Sequence, residues 1–188
     1  MEFEREKQSL LLEGVRYTAN DLHLLKTKAV GASDSSTGQM LYDFLQEWFT
    51  ESPWMTVHTS GSTGKPKKIR ISKDKMMQSA RLTCEFLNLQ IGDTALLCMN
   101  LRYIGAMMVV VRSLVAGLNL IIRPASGHPL ADMKQPLRFA AMVPLQVYNT
   151  LQVPEEKERL RQTDVLIIGG GAIDEALEAE IRNLPGAI

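Results

Sequence analysis

A chain of 188 residues with 45% apolar and 22% charged side chains has an ordinary globular composition and the length for one sizeable core. Lysine plus arginine and aspartate plus glutamate number 21 each, which excludes a field of one sign that would recruit nucleic acid or an anionic membrane. Two cysteines, Cys84 and Cys98, and three scattered histidines, His23, His58 and His128, offer neither a disulfide framework nor metal-ligand spacing, so no structural metal is expected.

Residues 1–7 are charged and lack the apolar stretch of a signal peptide. Residues 9–17 alternate around Glu13-Gly14 and predict a small hairpin. Asn20 or Asp21 is a candidate cap for a helix through Leu22, Leu24 and Leu25. The loop-like Ser33-Asp34-Ser35-Ser36 then opens a helix with Met40, Leu41, Phe44, Leu45 and Trp48 on one stripe, ended by Ser52-Pro53. Residues 54–58 and 68–71 read as strands, and Ser72 opens a helix carrying Met76, Met77, Ala80, Cys84 and Leu87. Its methionine-rich face is packing rather than a cofactor site.

From Gly92 onward the pattern becomes regular. Strands are predicted over 94–99, 119–123, 138–143 and 165–168, with helices over 103–116, 145–152 and 175–183, the last capped by Asp174. Apolar runs of this length alternating with helices predict an α/β fold, a mostly parallel sheet with helices on both faces. Residues 104–122 are apolar enough to suggest a membrane span, but Arg112 sits at the middle, where it costs about 2.5–3.5 kcal/mol. A buried helix followed by a strand is expected instead, in a cytoplasmic protein. The chain divides into a lead-in over 1–53 and an α/β subdomain over 54–188. Oligomeric state is not readable.

Residues 58–68, His-Thr-Ser-Gly-Ser-Thr-Gly-Lys-Pro-Lys-Lys, carry the most chemistry. Within Thr59, Ser60, Gly61, Ser62, Thr63, Gly64 and Lys65 lie two glycines, four hydroxyls and a lysine. Glycines let successive N–H groups turn toward one point, hydroxyls add donors, and lysine adds a movable charge, a combination suited to polyphosphate. A Walker loop fails, because Pro66 follows Gly64-Lys65 and Thr59 stands where its first glycine belongs. Ser62-Thr63-Gly64-Lys65 matches Ser-x-x-Lys, but its companion motifs are absent, and Ser60 removes the glycine that a nucleophile elbow needs. A surface turn between two strands is the plain alternative.

The stretch 59–67 resembles the phosphate-loop signature of the adenylate-forming enzymes, a superfamily that includes acyl-CoA synthetases. Residues 71–76 and 165–172 resemble, in the same order, the strand and helix start after that loop and the strand and glycine turn beside the adenine. Ala141-Met-Val-Pro-Leu-Gln146 is similar to a stretch of the o-succinylbenzoate–CoA ligases, the menaquinone-pathway branch. The resemblance covers about residues 54–186 and implies the amino-terminal portion of the large domain. It implies a two-step reaction in which a carboxylate attacks ATP to give an acyl-adenylate, and coenzyme A then forms the thioester. It assigns Thr59, Ser60, Ser62, Thr63 and Lys65 to the phosphates, with Gly61 and Gly64 shaping the loop and Thr63 and Lys65 acting in catalysis. Mg²⁺ would be held mostly by residues this chain does not contain.

Gly169, Gly170, Gly171 and Ala172 would face the adenine, or form a turn without a ligand. A dinucleotide fingerprint fails there, since Asp174 stands at its last position and would repel a pyrophosphate. The family's usual aromatic and histidine after the strand at 94–99 are replaced by Asn100-Leu-Arg-Tyr-Ile-Gly105. Tyr103 is then a candidate wall for the carboxylate substrate and Arg102 a candidate partner for its charge, or an ordinary exposed arginine. The chain stops where a further strand is due, before the family's magnesium, ribose and carboxy-terminal motifs. An amino-terminal fragment, inactive alone, and a truncated paralogue both fit. The competing function is a non-catalytic nucleotide-binding or scaffolding module.

Overall fold

The computed structural model describes residues 2–30, 35–58 and 68–188, with backbone alone at 27–30, 35 and 58. The amino-terminal hairpin is formed by β1 (Leu10–Leu12) and β2 (Val15–Tyr17), with Leu12 opposite Val15. Its two-residue turn puts Glu13 at φ 47° and Gly14 at φ 82°. Tight hairpins require such left-handed positions, and glycine adopts them without Cβ strain. Helices α1 (Leu22–Val30) and α2 (Ser35–Trp48) follow. The cap before α1 lies earlier than Asn20 or Asp21. Thr18 caps a short 3₁₀ turn, Ala19–Asp21, and Asp21 Oδ2 accepts from its N–H and hydroxyl at 2.9 and 2.6 Å.

Strands β3 (Trp54–His58) and β4 (Lys68–Ser72) form a separate antiparallel pair in which His58 stands opposite Lys68. Ser72 caps α3 (Lys73–Phe86), accepting from the Lys75 N–H. Next come β5 (Thr94–Leu97), α4 (Ile104–Ala116), β6 (Asn119–Ile122), β7 (Phe139–Met142) and α5 (Pro144–Leu151), each within a few residues of its expected span. Helix α6 (Pro154–Arg161) is additional, and β8 (Val165–Ile168) and α7 (Glu175–Ile181) complete the order.

The main sheet runs β2-β1-β6-β5-β7-β8 and is parallel except for β2 at its edge. The last residues add to the outer side of β8. Leu166 N donates to Gly186 O at 2.7 Å and Ile188 N to Leu166 O at 2.8 Å, where the alternation calls for another strand.

Side chains alternate across the sheet with period two, so each central strand feeds two cores. On β5, Ala95 and Leu97 pack with Leu41 and Trp48 of α2, Met76 of α3 and Val110 of α4. Leu96 and Cys98 join Val147 and Leu151 of α5, Leu160 of α6 and Leu177 of α7. Helices therefore cover both faces. Burial pushes the free thiols of Cys84 and Cys98 up to about 11 and about 12, which leaves both protonated and inert. Among the described residues no helix is long and apolar enough to cross a membrane.

The base of the β3–β4 pair is tied to the rest of the chain by a buried lysine. Lys73 N donates to Pro53 O at 2.9 Å, and its Nζ donates to Thr50 O at 2.8 Å. The ammonium also lies 4.2 Å from the Phe3 ring centroid. It thereby satisfies a carbonyl just beyond the end of α2 and adds a cation–π contact. Burial lowers its pKa to about 8, while Glu47 and Glu51 oppose the shift. Below about pH 8 the amine is charged in both states, and folding bears the full desolvation cost. Between about 8 and 10.5 the unfolded chain keeps the proton that the folded chain has lost, so this group adds stability as pH rises. Across that window the Tm of the wild-type chain should therefore rise by a few degrees relative to that of Lys73→Met. Parallel melting curves against pH would contradict the role.

Candidate functional site

All parallel strands end at one edge of the sheet, and the segments that follow them, 98–103, 123–127, 143–144 and 169–174, lie side by side there. In open parallel sheets this edge is where ligands bind. Helix α3 brings the β3–β4 pair to the same side. Its end lies at the opposite edge, where Arg138 at the start of β7 donates to the carbonyls of Leu87 and Asn88 at 3.2 and 3.1 Å. With 14 residues, α3 is roughly 21 Å long. Its first turn and the attached strand pair therefore stand near the carboxyl edge. Thr59, Ser60, Gly61, Ser62, Thr63, Gly64 and Lys65 lie outside the described residues, and the paired His58 and Lys68 close the segment that carries them.

At this edge opens a cleft of about 570 Å³, lined by Ser36, Met40, Asn100, Arg102, Pro124 and Ala125. Asn100 shapes one wall. Its Oδ1 accepts from Arg102 N at 2.9 Å and its carbonyl from Tyr103 N at 3.1 Å. That turn presents Arg102, whose guanidinium has no hydrogen-bond or ion-pair partner among the described residues. The positive end of the α2 dipole, near Ser36, faces the same space. Met40, Pro124 and Ala125 supply apolar surface. A carboxylate on a flat or aliphatic body matches this lining. Tyr103 is the N-cap of α4, is 53% exposed and stands beside the cleft rather than among its lining residues.

The glycine turn lies two strands from β5, roughly 10 Å along the edge. Gly169 N donates to Met142 O at 3.2 Å, Gly170 has φ 83°, and a Cβ on Gly171 would sit 3.4 Å from Pro144 Cδ. Residues 169–172 are exposed and present a flat, nearly bare backbone against the start of α5. Asp174 caps α7 by accepting from Leu177 N at 2.8 Å, and Glu175 follows it. A pyrophosphate at that helix start would meet two carboxylates, consistent with rejecting a dinucleotide fingerprint. Among the described residues no three His, Cys, Asp or Glu side chains converge as metal ligands.

The model of the AMP-binding enzyme family matches residues 12–188. The chain belongs to the AMP-binding enzyme family. Two 2-succinylbenzoate–CoA ligases, from Bacillus mycoides (strain KBAB4) and Bacillus cereus (strain Q1), are each 30% identical over 82 residues, which is 43% of this chain and 17% of theirs. Among solved structures, an acyl-CoA synthetase (AMP-forming)/AMP-acid ligase II-like protein from Dyadobacter fermentans is 30% identical with a TM-score of 0.75, over 87% of this chain and 47% of that one. The o-succinylbenzoate coenzyme A synthetase MenE from Bacillus subtilis, in complex with AMP, shares the fold at 21% identity and a TM-score of 0.56, over 69% of this chain and 27% of that one. The chain thus spans about half of the first structure and a smaller part of the second.

Arg102 was legible as a candidate substrate partner; the side of the cleft formed by α2 was not. Ser36 and Met40 come from α2, more than sixty residues earlier in the chain, and no local pattern announces that approach. Gln146 was visible only as part of a resemblance, without a role.

Proposed function

We propose that this chain forms the ATP- and carboxylate-binding part of an AMP-forming carboxylate–CoA ligase, with o-succinylbenzoate as the acid. The observation that carries this is Arg102, unpartnered among the described residues, in a cleft at the carboxyl edge, on the side to which α3 brings the strands flanking residues 59–67. Family membership and the partial similarity to 2-succinylbenzoate–CoA ligases support the same reading. In the first step a carboxylate oxygen bonds to the α-phosphorus as the bond to the β-phosphate oxygen breaks, and pyrophosphate leaves with its electron pair. Thr59, Ser60, Ser62, Thr63 and Lys65 hold the β- and γ-phosphates and receive the charge that develops there. Residues 169–172 flank the adenine. Arg102 pairs with the acid's second carboxylate and orients the first. Coenzyme A then displaces AMP at the acyl carbon, giving the thioester.

Carboxylate-dependent exchange of labelled pyrophosphate into ATP tests the proposal. Exchange should require the diacid, and Arg102→Ala should raise its KM about 10- to 100-fold, because a charged hydrogen bond contributes about 1.5–3 kcal/mol. The KM for ATP should stay within twofold. If no carboxylate supports exchange, either by this chain or by a form extended to the relatives' length, the proposal fails and a non-catalytic nucleotide-binding module is the better description.

A further inference from the structure

Two walls of the cleft, the segments after β5 and β6, meet through the backbone bond from Arg123 N to Leu97 O at 2.9 Å and, nearer the opening, through one buried side chain. Gln146, in the first turn of α5, is 5% exposed. Its Nε2 donates to Cys98 O at 2.8 Å and to Ser126 O at 2.9 Å, and its Oε1 accepts from Val143 N at 3.2 Å. Two carbonyls can be met only by the amide nitrogen, so the partners fix the orientation of the group. Cys98 lies two residues before Asn100, and Ser126 directly follows Ala125. One carboxamide therefore bonds the segment after β5, the segment after β6 and the end of β7.

The segment after β6 is pressed onto the same helix, where a Cβ on Gly127 would lie 2.6 Å from Asn149 Nδ2. Farther along, His128 Nδ1 lies 3.0 Å from Glu156 Oε1, and Arg159 donates to Leu130 O at 2.9 Å. Those contacts hold the distal part to α6. Among the described residues, Gln146 is the side chain that hydrogen-bonds to both walls.

We propose that Gln146 is a positioning residue that sets the width of the Arg102 cleft by locking the Cys98 and Ser126 carbonyls to one nitrogen. The link to substrate binding rests on the proposed ligase function; the coupling of the walls does not. A carboxylate in place of the amide would keep the Val143 N–H and the Cys98 thiol, 4.0 Å away, beside one oxygen but set the other against two carbonyls, and burial there would raise its pKa above the ordinary 4.3 or so. Once protonated, it regains one donor. Gln146→Glu should therefore release both walls at high pH and regain one of the two wall bonds at low pH, a dependence the wild-type amide lacks.

Amide exchange at Arg102 and Tyr103 on one wall, and at Ser126 on the other, reads the coupling as protection relative to Leu96 and Ala140 of the sheet. In Gln146→Met, protection at both walls should fall at least 10-fold together. In Gln146→Glu it should fall similarly at pH 8 and recover in part, at one wall, at pH 5.5. In pyrophosphate exchange, Gln146→Glu at pH 8 should raise the KM for the diacid at least 10-fold while leaving that for ATP within twofold. Unchanged protection, loosening of one wall alone in Gln146→Met, or a Gln146→Glu profile parallel to wild type would overturn the proposal. If Gln146→Met fails to fold, the pH profile of Gln146→Glu decides. A wild-type chain inactive with every carboxylate counts against the ligase function, while the protection ratios still decide the coupling.

Discussion

In a form extended to the relatives' length, Lys65→Ala is expected to slow acyl-adenylate formation at least 100-fold while slowing thioester formation from supplied acyl-adenylate less than fivefold. The asymmetry follows from where charge moves. In the first half-reaction negative charge accumulates on the departing pyrophosphate, and a cation beside the β- and γ-phosphates stabilises that transition state more than bound ATP. Removing one such preorganised donor typically costs about 100- to 1000-fold in rate. In the second half-reaction pyrophosphate has already left, so the same ammonium faces no developing charge. Lys65→Arg should restore less activity than its retained charge suggests, because a planar fork does not replace a compact ammonium at a point contact. Single-turnover measurements of both half-reactions check this. Equal loss in both would assign Lys65 to general stability of the nucleotide site.

The second large effect is structural and independent of any chemistry. Gly186→Ala should detach residues 186–188 from β8 and lower stability by about 3 kcal/mol. A Cβ at Gly186 would fall on the Asp164 carbonyl group, 2.6 Å from its carbon, and 2.8 Å from Thr163 O. Both obstacles are backbone, so no rotamer change relieves them, and overpacking of this kind costs about 1–3 kcal/mol or more. The displaced segment would also give up the bonds from Leu166 N to Gly186 O and from Ile188 N to Leu166 O. Loss of exchange protection at the Leu166, Ile168 and Ile188 amides, with the amides of β5 and β6 unchanged, is the expected signature. Retained protection at Leu166 would show that the backbone absorbs the extra methyl.

The central strands were legible because each feeds two cores. Residues 95–97 and 139–142 must be apolar at successive positions, and such runs stand out against the amphipathic helices between them. Helix α6 was not legible for the opposite reason. Of its side chains, Glu156 and Leu160 are the buried ones, so it shows no apolar stripe. Its signal lay in charge order, with Pro154, Glu155 and Glu156 at the start and Arg159 and Arg161 at the end, as the helix dipole favours. The cap at Thr18 was likewise spelled out as Thr-x-x-Asp with Asp21. Pairing of β1 with β6 joins Leu11 to Asn119 across more than a hundred residues and leaves no local trace.

The same division holds for the site. Arg102 and the glycines at 169–171 are conspicuous because their residue types are unusual for their positions. The cleft around Arg102 depends on α2 crossing the carboxyl edge, and its width depends on one glutamine inside α5. Both are consequences of packing, which local residue patterns do not encode.

The most direct measurement is a titration of the isotope-labelled chain with magnesium pyrophosphate and then magnesium ATP, followed by backbone amide resonances. Saturable shifts of the Ser60–Lys65 amides with both ligands, joined by residues 169–172 with ATP alone, are the predicted result. Shifts confined to other surfaces, or none at Ser60–Lys65 with either ligand, would contradict the assignment of that segment to the phosphates.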